Sequence, residues 1–173
     1  MKETLLVPEI LKGDITRLDV DVIVNAAHNG LTGGGGVDGA IHHAAGPRLL
    51  AECRRVGFCA TGDTVATGPA NLPCRWVFHT VGPVWRGGGF QEQALLASCY
   101  LSCLELVNKK HAFSIAFPNV STGVYGFPKP LACQIVTRTV QEFLKNPTSL
   151  RRLIFVCHDE ENYRLYRAAW SGS

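Results

Sequence analysis

The segment that decides the fold spans residues 25–42 and reads NAAHNGLTGGGGVDGAIH. An apolar run, Val20 to Val24, precedes it, and apolar residues at helical spacing from Val37 to Ala45 follow it. Consecutive glycines give up side-chain packing, but they let the backbone approach a ligand closely and direct several N–H groups at it. A strand, a glycine-rich turn and a helix N-terminus form an anion site, because the free N–H groups and the helix dipole favour negative charge. The segment therefore predicts a ligand that bears phosphate and is held mainly by backbone.

The composition predicts a single folded domain over residues 1–173. Hydrophobic residues make up 46% of the chain and charged residues 18%, which is enough to bury a full core. The net charge of +3 is mild and suits an anionic small molecule, and the lack of a Lys/Arg run disfavours nucleic acid. There is no signal-peptide pattern, and no apolar run approaches the ~20 residues of a membrane span. We therefore expect a soluble, cytoplasmic monomer that binds neither membrane nor nucleic acid.

Seven cysteines and six histidines raise the question of a disulfide, a metal site or a cysteine nucleophile. The cysteine count is odd and no Cys-x-x-Cys pair occurs, so we interpret the cysteines as reduced, buried small hydrophobic residues. His42 and His43 are adjacent on a predicted helix and point in different directions, so they cannot pair as metal ligands. We expect no metal and no cofactor. A Cys–His nucleophile remains possible in principle, although no cysteine lies in either glycine-rich loop.

Apolar patterning along the chain predicts alternating strands and helices. Strands are predicted at residues 4–7, 9–11, 20–24, 63–67, 76–81, 114–117 and 153–157, and helices at 37–45, 48–55, 91–110, 128–144 and 159–170. Several strands are apolar on both faces, which is typical of an α/β domain whose parallel or mixed sheet lies between helix layers. Ligands of such sheets bind beyond the carboxyl ends of the strands.

A second glycine-rich loop, residues 121–126 (STGVYG), also follows a predicted strand and precedes a predicted helix. Both loops should therefore lie at the same edge of the sheet. Neither loop has the Lys-Ser/Thr of a P-loop, and Gly33 to Gly36 does not give the Rossmann Gly-x-Gly-x-x-Gly, so ATP hydrolysis and hydride transfer are disfavoured. Two uncharged loops could instead hold a diphosphate from both sides with backbone N–H groups. Each could also be only a tight turn.

Three polar side chains near the first loop are candidates for chemistry. Asp38 lies in the first turn of the predicted helix, where it either stabilises the helix dipole or faces a sugar hydroxyl or an attacking water. Asn25 and Asn29 could bind sugar hydroxyls, and Asn29 could equally form the turn before Gly30.

Two further candidates lie elsewhere along the predicted sheet edge. Asp14, in a predicted turn after Gly13, either caps a short helix or accepts hydrogen bonds from an exocyclic amine such as that of adenine. Tyr125, between two glycines of the second loop, is the aromatic residue best placed to lie over a ligand.

A series of blocks carries these candidates in a fixed order along the chain. The blocks are Gly13–Thr16, Val22–Ala27, Leu31 with Gly33–His42 and Ala44–Pro47, His79–Trp85, Phe117-Pro118 with Ser121–Gly126, and Val156-Cys157 with Asp159–Asn162. Together they resemble a macro domain of the MacroD type, and they are most similar to the bacterial O-acetyl-ADP-ribose deacetylases. The resemblance implies a three-layer α/β/α sandwich with a central mixed sheet and an ADP-ribose pocket at the carboxyl ends of the strands.

The resemblance also implies a role for each candidate residue. Asp14 would bind the adenine amine, with the backbone of Ile15 beside it. Asn25 would shape the distal-ribose pocket, Asp38 would position or activate water there, and Tyr125 would cover that ribose. The diphosphate would be clamped by the two loops, at Gly33, Gly34, Gly35, Gly36, Val37, Ser121, Thr122, Gly123, Val124 and Tyr125. The implied reaction is metal-independent hydrolysis of an ester at the distal ribose, in O-acetyl-ADP-ribose or in the Asp/Glu linkage of mono-ADP-ribosylated proteins.

One position departs from the family pattern. The family usually reads Asn-Ala-Ala-Asn, and its second Asn is a catalytic-site residue, whereas this chain has His28 there. An imidazole can donate or accept a hydrogen bond as an amide can, but it is larger and titrates near pH 6.5. His28 could therefore replace the Asn in catalysis, act as an extra base, or impair the geometry. The last case would leave a module that binds ADP-ribose with little or no turnover.

Overall fold

A computed structural model describes residues 6–171 of the chain. The strands are β1 (Glu9–Lys12), β2 (Val22–Ala27), β3 (Thr64–Thr67), β4 (Trp76–Val81), β5 (Ser114–Phe117) and β6 (Arg152–Cys157). The helices are α1 (Gly36–Ala45), α2 (Pro47–Val56), α3 (Glu92–Lys109), α4 (Lys129–Leu144) and α5 (Glu160–Trp170), with a short 3₁₀ helix at Ile15–Arg17. Strands and helices alternate along the chain as the apolar patterning predicts.

The six strands of the described chain form one mixed sheet in the order β1-β6-β5-β2-β4-β3. Neighbouring strands are parallel except for the edge strand β3, which is antiparallel to β4. Because β2 and β5 are parallel neighbours, their carboxyl ends meet at the same edge of the sheet. The two glycine-rich loops leave the sheet from these two ends, so their predicted juxtaposition is confirmed.

Helices cover both faces of the sheet and enclose two apolar clusters. Residues of β2 alternate between the clusters: Val22 and Val24 pack with α3, α4 and α5, whereas Ile23 packs with α1 and α2. All three side chains are fully buried, as expected for a strand covered on both faces. The fold is therefore the predicted three-layer α/β/α sandwich.

Strand β2 lies further along the chain than the predicted range of residues 20–24. Asp21 precedes the strand, and its carboxylate accepts a hydrogen bond from the N–H of Phe113 at 2.7 Å. Pairing of β2 with β4 then continues to Ala27, opposite Val81. The strand therefore includes Asn25, which places that side chain on the sheet and not in the loop.

Other element boundaries differ by small amounts from the sequence prediction. The strand predicted at residues 4–7 lies partly outside the described residues, and residues 6–8 are not in a strand. Gly46, with φ of 81°, ends α1, and Pro47 begins α2 at the position that proline favours in a helix. Asp159 caps α5 as predicted, because its carboxylate accepts from the N–H of Asn162 at 2.7 Å.

The structure also bears on the expectations about disulfides and about membrane-spanning helices. All seven cysteines are free thiols; six are buried and Cys74 is half-buried. Within residues 6–171, no helix has the length and apolar character needed to cross a membrane.

Candidate active site

The first loop leads from β2 into α1 and turns on glycine backbone. Gly33 and Gly36 have φ values of 84° and 57°, which side chains disfavour. Gly39 must also be glycine, because a Cβ there would lie 2.5 Å from the carbonyl oxygen of Gly34. The absence of a side chain at Gly39 lets the loop lie directly against α1. Among the hydrogen bonds of residues 6–171, none has an N–H of residues 33–37 as its donor, so these groups are available to an anion.

The second loop is stabilised by its own side chains, which point inward. Ser121 and Thr122 are both buried, and Ser121 has a φ of 66°. The Thr122 hydroxyl donates to the carbonyl oxygen of Asn119 and accepts from the amide of Asn162, each at 3.2 Å. In the described chain, the N–H groups of residues 121–125 donate no hydrogen bond to protein. The second loop therefore also presents backbone donors at the sheet edge.

The backbone of Tyr125, in the second loop, is fixed by the segment after β4. The N–H of Trp85 donates to the carbonyl oxygen of Tyr125 at 2.8 Å. The Trp85 ring also packs on Phe127, with 4.8 Å between ring centroids. Tyr125 itself is half-buried, so part of its ring remains open to a ligand.

A single carboxylate fastens the adjoining segment, residues 86–90. Glu92, at the start of α3, is only 1% exposed. It accepts hydrogen bonds from the N–H groups of Arg86 at 3.0 Å, Gly88 at 2.8 Å and Phe90 at 2.5 Å. This carboxylate therefore holds the segment that directly follows Trp85, whose N–H binds the carbonyl oxygen of Tyr125.

Asn25 and Asp38 meet beneath the first loop. Asn25 is fully buried and Asp38 is 6% exposed, and Asn25 Nδ2 donates to Asp38 Oδ1 at 2.9 Å. His42, one turn further along α1, has its Nε2 at 3.4 Å from the same oxygen. Asp38 Oδ2 accepts no hydrogen bond from residues 6–171, and a Cβ on Gly34 would lie 3.2 Å from it. Asp38 is thus held through one oxygen and presents the other towards the loop.

A buried series of hydrogen bonds continues from Asn25 into the sheet. Asn25 is paired in register with His79 on β4, and Asn25 Nδ2 lies 3.1 Å from His79 Nδ1. His79 Nε2 lies 2.9 Å from the hydroxyl of Thr67, which donates to the carbonyl oxygen of Gly68 at 3.1 Å. Burial lowers the pKa of His79 to about 4, and nearby His42 acts in the same direction. The His79 ring is therefore neutral at neutral pH.

His28, the residue at the departure from the family pattern, folds over the first loop. Its Nδ1 accepts from the N–H of Gly30 at 3.2 Å, which assigns the ring proton to Nε2. Nε2 lies 2.6 Å from the carbonyl oxygen of Gly33 and 3.1 Å from the hydroxyl of Thr32. Both ring nitrogens therefore bind the loop itself, and the imidazole stabilises the loop conformation.

Comparison with known proteins identifies the family of this chain. The family model of the Macro domain matches residues 24–136. The chain belongs to the macro domain family. It is 55% identical over 161 residues to the O-acetyl-ADP-ribose deacetylase of Escherichia fergusonii, covering 91% of each protein. The resemblance drawn from the sequence is confirmed.

Solved macrodomains share the fold of this macro domain closely. The Oceanobacillus iheyensis macrodomain with ADP superposes with a TM-score of 0.89 at 43% identity, covering 98% of this chain and 93% of that one. The Trypanosoma brucei macrodomain in complex with ADP-ribose superposes with a TM-score of 0.85 at 43% identity, covering 92% of this chain and 67% of that one.

Asp14 and Ile15 lie in this macro domain just after β1, at the same edge of the sheet as the loops. Asp14 Oδ1 accepts from the N–H of Thr16 at 2.9 Å and from its hydroxyl at 2.6 Å, and these bonds lower the pKa of Asp14. Asp14 therefore caps the 3₁₀ helix, yet it is exposed and can still meet a ligand. Ile15 is buried in the cluster beneath α1.

Asn29 anchors the first loop. Its amide donates to the carbonyl oxygen of Cys59 at 2.8 Å and to the hydroxyl of Thr61 at 3.3 Å. These bonds tie the loop to the segment between α2 and β3. Asn29 also lies in the turn predicted before Gly30, which the N–H of Leu31 closes by donating to the carbonyl oxygen of His28 at 3.1 Å.

The macro domain contains a Cys–His contact, but this contact lacks the properties of a nucleophilic pair. Cys53 Sγ lies 3.8 Å from His79 Nε2, and Cys53 is fully buried. Burial raises the pKa of the Cys53 thiol to about 11, and the nearby carboxylates of Asp38 and Glu52 add to this effect. A cysteine nucleophile needs an accessible thiolate, so Cys53 does not supply one.

Sequence reasoning did not assign His79, Thr67 or His42 to the site of this macro domain. A signal for His79 was present, because a histidine in the otherwise apolar strand Trp-Val-Phe-His-Thr-Val requires a buried polar partner. His42 follows Asp38 at i+4 on a helix, the spacing at which side chains meet. Thr67 had no local signal, since its contact depends on the antiparallel pairing of β3 with β4.

Proposed function

We propose that this macro domain binds ADP-ribose and hydrolyses esters at the distal ribose. The substrates would be O-acetyl-ADP-ribose, proteins that carry mono-ADP-ribose on Asp or Glu, or both. The observation that carries the proposal is the buried Asn25–Asp38 hydrogen bond, which leaves Asp38 Oδ2 free beside a loop of unpaired N–H groups.

Binding of the diphosphate would rest on backbone dipoles. Residues 33–37 and 121–125 contain no Lys or Arg, but both present N–H groups without protein acceptors. The first loop also opens α1, whose N-terminal dipole favours an anion. Relatives bound to ADP and to ADP-ribose support this ligand class. Asp14 would receive the adenine amine beside Ile15, and Tyr125 would cover the distal ribose.

Hydrolysis would begin with a water molecule next to Asp38 Oδ2. As the water oxygen bonds to the acyl carbon, its proton passes to Asp38, and the ester bond then breaks. Asp38 then gives this proton to the ribose oxygen, which leaves as a hydroxyl, while the acyl group leaves as a carboxylic acid and the carboxylate of Asp38 is restored. Asn25 and His42 hold the other carboxylate oxygen, so Oδ2 keeps its direction during the reaction.

The deciding experiment measures turnover and binding in parallel. The protein is incubated with O-acetyl-ADP-ribose and, separately, with a protein modified on Glu and Asp, and the released ADP-ribose is quantified. Calorimetry with ADP-ribose measures affinity on the same preparation. We expect both binding and release. Tight binding with no release above buffer would contradict the hydrolase proposal.

A second candidate function is a reader that binds ADP-ribose without turnover. It is favoured by His28, whose two ring nitrogens are engaged by Gly30 and Gly33 and so cannot serve the substrate as the usual Asn would. The variant His28→Asn restores the family residue and separates the two functions. A reader gains release in this variant, whereas a hydrolase already releases ADP-ribose as the wild type.

A further inference from the structure

We propose that His79 is a positioning residue for the reaction. Its bare Nδ1 accepts the second amide proton of Asn25 and thereby fixes the orientation in which Asn25 holds Asp38. The inference rests on the proposed hydrolase function for its kinetic part. Its structural part concerns only the hydrogen bond from the Asn25 amide to His79 Nδ1, and this bond can be measured without substrate.

The Gly68 end of the buried hydrogen-bonded series determines which atoms donate and which accept. The carbonyl oxygen of Gly68 can only accept, so the Thr67 hydroxyl donates to it. The hydroxyl proton is then committed, and Thr67 Oγ1 accepts from His79 Nε2 at 2.9 Å. With its proton on Nε2, the neutral ring has a bare Nδ1. That nitrogen accepts from Asn25 Nδ2 at 3.1 Å.

The Asp38 end of the series imposes the same assignment of donors and acceptors. The Asp38 carboxylate can only accept, so Asn25 turns its NH₂ group towards Oδ1 of Asp38. The same NH₂ group gives its second proton to His79 Nδ1. Turning the amide by 180° would place Asn25 Oδ1 against the carboxylate and against a bare ring nitrogen. Only one orientation therefore satisfies both neighbours.

Asn25 leaves one acceptor unused to keep this orientation. Its Oδ1 is buried and accepts no hydrogen bond from residues 6–171. A buried acceptor without a donor is costly. The orientation of the Asn25 amide is therefore set by the two acceptors around its NH₂ group and not by its oxygen. Its two protons are instead directed at Asp38 and His79. Burial supports the arrangement, because the depressed pKa of His79 keeps the ring neutral at neutral pH, and a neutral ring has one bare nitrogen to offer Asn25.

Two substitutions of similar shape test the role of Nδ1. His79→Asn keeps an acceptor on Cγ at the position of Nδ1, whereas His79→Leu places a methyl group there, and both lose the contact to Thr67. We expect His79→Leu to lower kcat by about 100-fold, the effect of slightly misplacing a reacting group. His79→Asn should recover most of this loss. The Kd for ADP-ribose should stay unchanged in both variants, because His79 lies beneath the loops and not in them.

The matched pair also separates a positioning role from a purely structural one. A structural role would lower kcat equally in both variants, in step with any fall in melting temperature. Equal kcat values for the two variants, or wild-type kcat in His79→Leu, would overturn the proposal.

Nitrogen-15 NMR of the wild-type protein tests the inference independently of turnover. At neutral pH we expect His79 to show a bare Nδ1 and a protonated Nε2, and we expect the Asn25 amide resonance to shift in His79→Leu but not in His79→Asn. A protonated Nδ1 would contradict the positioning role. If the wild type shows the expected tautomer but no turnover, the hydrolase proposal fails and the assignment of His79 as the orienting partner of Asn25 stands.

Discussion

The two glycine-rich loops lie at one edge of the sheet and present similar backbone, but they are stabilised in different ways. Behind the first loop, Asn25 and Asp38 form a buried pair in which one carboxylate oxygen stays free. In the second loop, Ser121 and Thr122 turn inward, and Asn162 holds the Thr122 hydroxyl. Under the proposed function, this difference predicts that backbone N–H groups of both loops bind the anion, whereas turnover depends on the carboxylate held behind the first loop.

The largest expected effect comes from removing that carboxylate. Asp38→Ala should lower kcat by about 10³-fold, because the loss removes the proton acceptor for water. The affinity for ADP-ribose should change little, since the N–H groups of both loops remain. Initial rates and calorimetry measure the two quantities. Asp38→Asn keeps the shape of the side chain and should lose nearly as much activity; wild-type turnover in Asp38→Ala would refute the assignment.

The next effect concerns the anion site of the first loop. Gly34→Glu should weaken ADP-ribose binding by about 100-fold or more, because a carboxylate in the diphosphate space opposes like charge. The new Cβ would also lie 3.2 Å from Asp38 Oδ2. Gly34→Gln has nearly the same bulk without the charge, so it should lose only part of this affinity. Equal affinities for wild type and Gly34→Glu, measured by calorimetry, would rule out the clamp.

Lowering the pH should destabilise the folded protein, because His79 is buried in its neutral form. The pKa of His79 is about 4 in the folded chain, whereas an imidazole in an unfolded chain titrates near its ordinary value of about 6.5, so from pH 6.5 down to 4 the unfolded chain binds a proton that the folded chain does not. The free energy of unfolding should therefore fall by about 3 kcal/mol across this window. Urea unfolding at several pH values measures it. His79→Asn should show a flatter profile, and an identical slope would contradict the depressed pKa.

The smallest effect compares the two loops directly. Gly35→Ala and Gly123→Ala each add a methyl group that meets nothing within 4 Å, and neither glycine has a positive φ. Both variants should keep their melting temperature, so a several-fold loss of ADP-ribose affinity would report the approach of the ligand to the backbone. Losses in both variants support a clamp. A loss in only one assigns the diphosphate to that loop.

Local patterns were sufficient to predict most of the fold. The buried stripe of α3 and the proline and aspartate at helix starts are signals within a few residues, and they predicted helices close to those observed. The boundaries of β2 were less accurate, because that strand is extended to Ala27 by pairing with β4 and not by its own apolar pattern. Strand ends that depend on a distant partner have no local signal.

The pairing of Asn25 with Asp38 was predictable because both residues flank the first glycine-rich loop in the sequence. Asp38 follows the glycines directly, and Asn25 ends the apolar run before them. His79 joins Asn25 only because β4 lies beside β2 in the sheet, and the edge strand β3 then brings Thr67 to the other ring nitrogen. The hydrogen bonds of His28 to the backbone of its own loop depend on how that loop curves, and the sequence pattern does not predict this curvature.

Glu92 has a consequence for changing this macro domain by design. In the segment 86–90 it binds backbone N–H groups and no side chain, so these hydrogen bonds do not depend on which side chains the segment carries. Arg86 and Phe90 can be exchanged for most residues, proline excepted, while Gly87 and Gly88 must stay because their φ values are 94° and 92°. The segment is thus a position where new surface side chains can be introduced directly after Trp85, the residue that binds Tyr125, without rebuilding the loop.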